Sequence, residues 1–101
     1  MKMLNRNGRN AVYVFAIKEY GKVEQLGVLI EELSELQKEV CKLVFRGAGN
    51  MNRVAEEAAD VEIMLEQLVV MFPELKGAIA EHKNRKVLRL AERLRLEIGN
   101  V

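Results

Sequence analysis

VEQLGVLIEELSELQKEVCKLVFR, residues 23–46, decides the fold class. Its apolar side chains Leu26, Leu29, Ile30, Leu33, Leu36, Val40, Leu43 and Val44 recur at spacings of three and four, the period of one face of an α-helix. A long amphipathic helix is predicted here. It should stop at Gly47-Ala48-Gly49-Asn50, because glycine accepts left-handed backbone angles and Asn50 or Asn52 can cap whatever follows.

Working outward, the same period runs from Asn52 to Phe72 through Val54, Ala58, Val61, Leu65 and Leu68, and Pro73 ends it by removing a donor and clashing with the preceding turn. A further helix is predicted after Pro73, carrying Leu75, Ile79, Val87, Leu90, Leu94 and Ile98, polar all round near His82 to Lys86 and fading at Gly99. Ala11 to Tyr20 is rich in β-branched and aromatic residues, which suits a strand, but a lone strand has no partner among helices. It is read as a short first helix ending at Gly21. The expected fold is all-α: four helices joined by short loops in an antiparallel bundle.

With 101 residues and no repeat or linker-like segment, one domain spanning 1–101 is expected. Half the residues are apolar and 31% are charged, a mixture that suits amphipathic helices and not a disordered chain. Lysine and arginine number 16 against 15 acids, so no global field draws the chain to nucleic acid or to an anionic membrane. Met1 to Asn10 is basic and polar, and the apolar run Ala11 to Ile17 is too short to span a bilayer and lacks a following cleavage site. Neither signal peptide nor membrane segment is expected. The single cysteine, Cys41, cannot form an internal disulfide, which points to a reducing compartment, the cytoplasm.

The chemistry-bearing pattern is acidic. Glu31, Glu32 and Glu35 lie mid-way along the first long helix, Glu57 and Asp60 early in the second. Residues three apart project from one face of a helix, so each helix offers a carboxylate pair, and two helices packed antiparallel would bring the pairs together. Glutamates more often coat a solvent face, and Glu39, Glu62 and Glu66 are read that way. Glu57 differs, falling inside the apolar arc of Val54, Val61 and Leu68, and Glu32 lies between Leu29 and Leu36 at the edge of its stripe. A charge so placed needs compensation. No basic residue stands within 31–36 or 56–61, so a cation is favoured over a salt bridge. All-oxygen ligation selects magnesium, with manganese as a substitute, while one cysteine and one histidine argue against zinc or iron-sulfur. A di-iron site would want an acid three residues before a histidine, and His82 has none.

At these residues the sequence resembles the MazG-like all-α nucleotide pyrophosphohydrolases, whose signature is E-E-x-x-E on one helix and E-x-x-D on the next. Here they read Glu31-Glu32-Leu33-Ser34-Glu35 and Glu57-Ala58-Ala59-Asp60, with Tyr20-Gly21 and Gln25 before the first motif, Leu36 directly after it and Val61 to Leu68 continuing the second. The likeness covers roughly residues 11–95. It implies hydrolysis of (deoxy)nucleoside triphosphates to a monophosphate and pyrophosphate, in the manner of nucleotide-pool housecleaning enzymes. It also implies magnesium on Glu32, Glu35, Glu57 and Asp60, and a proton acceptor at Glu32 or, second, Glu31.

Lys86, Arg89 and Arg93, with Lys83 beside them, match the family's recurring basic positions and are the implied phosphate contacts; the rival reading is a solvated face paired with Glu81, Glu92 and Glu97. The resemblance further implies a homodimer or homotetramer. His82 is read as a surface residue, and Met64, Met71 and Phe72 as core or subunit contact. Two alternatives stand beside this reading: a phosphoribosyl-ATP pyrophosphatase of the same helical plan, and a non-catalytic helical oligomer whose acids form salt bridges.

Overall fold

The computed structural model of the chain describes residues 1–97, which form four helices and, among the described residues, no strand. They are α1 Arg6–Tyr20, α2 Lys22–Phe45, α3 Met51–Met71 and α4 Leu75–Arg93. The all-helical expectation holds, and the ambiguous first segment is helical. It starts at Arg6, earlier than its apolar pattern, because the Asn5 side chain accepts a 2.8 Å hydrogen bond from the Gly8 N–H and caps the first turn. No helix is long and apolar enough to cross a membrane among the described residues.

Gly21 separates α1 from α2 with φ +92°, a backbone angle that other residues rarely adopt. At the far end of α2 the turn into α3 closes tightly: a Cβ on Gly49 would lie 2.4 Å from the Leu43 Cα, so only glycine fits. Asn50 then caps α3, its Oδ1 accepting from the N–H of Asn52 at 2.9 Å and of Arg53 at 3.2 Å. Five residues between two long helices that pack on each other force an antiparallel hairpin, and α2 against α3 is the main interface of the fold. α1 docks on this hairpin, chiefly against α3.

The sequence reads as one domain, and the chain divides into two compact units, Met1–Met71 and a second beginning at Phe72. In the first unit Tyr13, Val61, Met64 and Met71 are buried. The Tyr13 hydroxyl donates a 2.7 Å hydrogen bond to Glu66 Oε1, joining α1 to α3. The α2 stripe is not buried along its length: Leu26, Leu29 and Leu36 are half-buried, while Ile30, Leu33, Val40, Leu43 and Val44 are exposed on the single chain. The helical period is right. The stripe is wider than one hairpin covers.

The second unit opens with a turn at Pro73, where Leu75 N–H donates to the Phe72 carbonyl, and continues as α4. α4 stops at Arg93, before the expected fade at Gly99. Arg95 enters the left-handed region with φ 57°, and the N–H groups of Arg95 and Leu96 donate to the Glu92 and Ala91 carbonyls, closing the helix. Ile98 and Gly99 lie outside the described residues.

Candidate metal centre

The hairpin register sets the site. Across the seam, carboxylate oxygens of Glu32 on α2 and of Glu57 and Asp60 on α3 lie within 4.8 Å of one another. Glu57 and Asp60 share a face because they are three apart, and Glu32 meets them because it stands on the α2 face that packs on α3. Burial pushes the Glu32 carboxyl above its ordinary pKa, and the charge and hydrogen bond of Asp60, then the charges of Glu57 and Glu31, push it further. Crowded carboxylates of this kind hold a proton or a cation in common.

A magnesium ion binds oxygens at about 2.0–2.1 Å, so its ligands lie at most about 4.2 Å apart, and larger divalent ions tolerate more. A group within 4.8 Å reaches that spacing by side-chain adjustments of about half an ångström. The donor set, three carboxylates without nitrogen or sulfur, fits a hard cation.

Three of the four expected ligands are thus brought together. Glu35, the fourth, and Glu31, the second candidate base, are exposed and stand outside the group, although Glu31 is near enough to raise the Glu32 pKa. Lys83, Lys86, Arg89 and Arg93 are exposed on α4 in the second unit and have no ion-pair partner among the described residues. The ion pair there joins Arg85 to Glu81. His82 and Cys41 are exposed; Met64 and Met71 are core, as expected.

Two acids read as solvent-facing are not. Glu39 is 2% exposed, its Oε1 bound by Arg53 Nε at 3.1 Å and Lys42 Nζ at 3.3 Å. Burial pushes its carboxyl up, but hydrogen bonds and charge from Arg53 and Lys42 outweigh burial and hold it below its ordinary pKa. Glu66 is half-buried, accepting from Tyr13 and lying 3.5 Å from Arg9 Nε. Glu62 is exposed as expected. The missed signal was spacing: Glu39 lies seven residues after Glu32, and Arg53 seven before Asp60, so both repeat the acid pair two turns along one seam. Gln25 and Gln67 repeat it in the other direction and are also buried; Gln67 Oε1 finds no hydrogen-bond partner among the described residues.

The two shifted glutamates act oppositely on stability. Glu32 binds its proton more tightly folded than unfolded, so the metal-free fold gains stability as pH falls towards the ordinary glutamate value of about 4.3. Glu39 contributes fully above that value and loses its contribution as pH falls through its lowered folded pKa. Melting temperatures in EDTA are therefore expected to peak in mildly acid solution, near the ordinary carboxylate range, and to fall on further acidification. Glu32→Gln should remove the rise and Glu39→Gln should flatten the fall; a profile unchanged by either substitution would overturn the assignment.

No protein-family model, no curated protein and no solved structure matches the chain.

Proposed function

We propose that this chain is a magnesium-dependent hydrolase that splits (deoxy)nucleoside triphosphates into a monophosphate and pyrophosphate, as its resemblance to the MazG-like enzymes implies. One observation carries the reading: carboxylates from both acidic motifs, Glu32 of the first and Glu57 and Asp60 of the second, converge within 4.8 Å with a raised Glu32 pKa. Three acids on one seam without a metal serve no purpose in packing, since like charges so close oppose folding.

In this reading Glu32, Glu57 and Asp60 hold the cation, and Glu35 joins by a change of side-chain rotamer. When bound, magnesium supplies a Lewis acid that neutralises charge on phosphate oxygens and acidifies a water. Glu32 is the first choice to accept the proton of the attacking water, and Glu31 is second choice. Lys83, Lys86, Arg89 and Arg93 carry over from the resemblance as candidate phosphate contacts. The exposed Ile30, Leu33, Val40, Val44 and Phe45 of α2 support assembly into a homodimer or homotetramer, because a monomer gains little by leaving so many large apolar side chains in water. The lone cysteine suits work on nucleotide pools in the cytoplasm.

Pyrophosphate release from a panel of standard and modified nucleoside triphosphates tests the reading. Release is expected with magnesium or manganese and not with EDTA, and the relative rates rank the bases. Magnesium should also raise the melting temperature, by mass action on the folded state. No release from any triphosphate, with no thermal response to the ion, would remove both the reaction and the metal site.

A further inference from the structure

Arg53 has two carboxylates to choose between. Across the hairpin its Nε lies 3.1 Å from Glu39 Oε1. Along its own helix it stands four residues before Glu57, the spacing at which side chains of one face meet. Glu39 chiefly, and Glu56 and Glu57 after it, make the guanidinium hold its proton more tightly than usual. Glu39 is 2% exposed and needs compensation, and Lys42 supplies only one contact at 3.3 Å. A charge removed from water attracts its counter-ion more strongly than a half-buried one, so Glu39 wins the guanidinium.

We propose that Glu39 is a positioning residue that keeps Arg53 off Glu57, leaving the Glu32, Glu57 and Asp60 carboxylates open to a divalent cation. The inference rests on the metal-binding reading above. If Arg53 turned to Glu57, a guanidinium–carboxylate pair would occupy the oxygen lone pairs that a cation needs and would neutralise one of its three charges. Glu39 thus does for the site what a buried acid far from the metal can do without touching it: it takes up the one cation on α3 that stands at ion-pair spacing before Glu57.

The test is manganese binding, read from loss of the free ion's EPR signal, in the cold and in moderate salt, with circular dichroism showing each variant folded. Native protein is expected to bind. Glu39→Gln should weaken binding on the order of tenfold, the usual scale for partners one step removed from a metal. Adding Arg53→Gln to it should restore native affinity, although the double variant melts lower. Adding Lys42→Gln instead gives the same net charge but leaves Arg53 free, and should stay as weak as Glu39→Gln alone. Arg53→Gln by itself should bind as well as native or better. A purely structural clamp would leave the double variant with Arg53→Gln no better than Glu39→Gln, and that result would overturn the proposal. So would native affinity in Glu39→Gln, equal rescue by Lys42→Gln, or tenfold weakening in Arg53→Gln, which carries the test if Glu39→Gln does not fold. Native protein that binds no manganese overturns the metal reading itself, a failure visible before any variant is made.

Discussion

Glu57→Gln is expected to lower pyrophosphate release on the order of a thousandfold and to remove the thermal stabilisation by magnesium. Glutamine keeps the shape of the side chain but offers no negative charge, and stabilising charge in a transition state is where such sites gain most of their rate. A ligand at a hundredfold excess over its Kd stabilises the native state by about 2.7 kcal/mol, so its loss is readily measured as a missing shift in melting temperature. In EDTA the order should reverse. Glu57 is among the charges that raise the Glu32 pKa, so removing it relieves repulsion, and the metal-free variant should melt at or above the native chain. A variant that releases pyrophosphate at the native rate would sink the proposed site. One that is destabilised in EDTA would show that Glu57 is a structural acid instead.

Met64→Ala is expected to have the largest effect on stability. Met64 is 5% exposed and stands one turn after Asp60 on α3, among the buried residues of the first unit. Truncating a buried methionine costs about 2–5 kcal/mol through lost burial and the cavity left behind. In a domain of this size each kcal/mol is worth roughly 4–8 °C, so melting by circular dichroism should fall by at least about 8 °C. Glu62→Ala, two residues earlier and exposed, should change stability by less than about 0.5 kcal/mol. Equal melting of the two variants would mean that Met64 does not sit in the core described above. The contrast also separates folding from chemistry: at a temperature where both are folded, Met64→Ala should retain magnesium-dependent release, whereas Glu57→Gln should not.

Helices were the most legible part of this chain, because their signals are local. The spacing of Leu26, Leu29, Leu33 and Leu36, the glycines at 47 and 49, the cap at Asn50 and the stop at Pro73 each act within a few residues, and α2 and α3 begin and end within a residue of where those signals put them. Where local signals were weak, the boundaries moved. α1 starts earlier because Asn5 caps a turn with no apolar period, and α4 closes at Arg93 because Arg95 adopts a left-handed angle with no glycine to announce it.

Local spacing also marked Glu57 and Glu32 as acids in or beside an apolar stripe and paired Asp60 with Glu57, and the tertiary structure brings those three together while leaving Glu35 outside. Face and period follow from the backbone geometry of a single helix. Which acid meets which depends on how α2 slides and turns against α3. That is set by the closure of the turn, where Gly49 lies so near Leu43 that no side chain fits, and by the Glu39–Arg53 pair two turns from the acids. For the same reason the burial of Glu39 was invisible in its own helix: the partner that compensates its charge comes from α3. Sequence alone thus determined four helices and the acids they could present, since both depend on neighbours along the chain. Only the tertiary structure decided which carboxylates share a point and which acid is buried, since these depend on register between helices, a long-range property that no local period encodes.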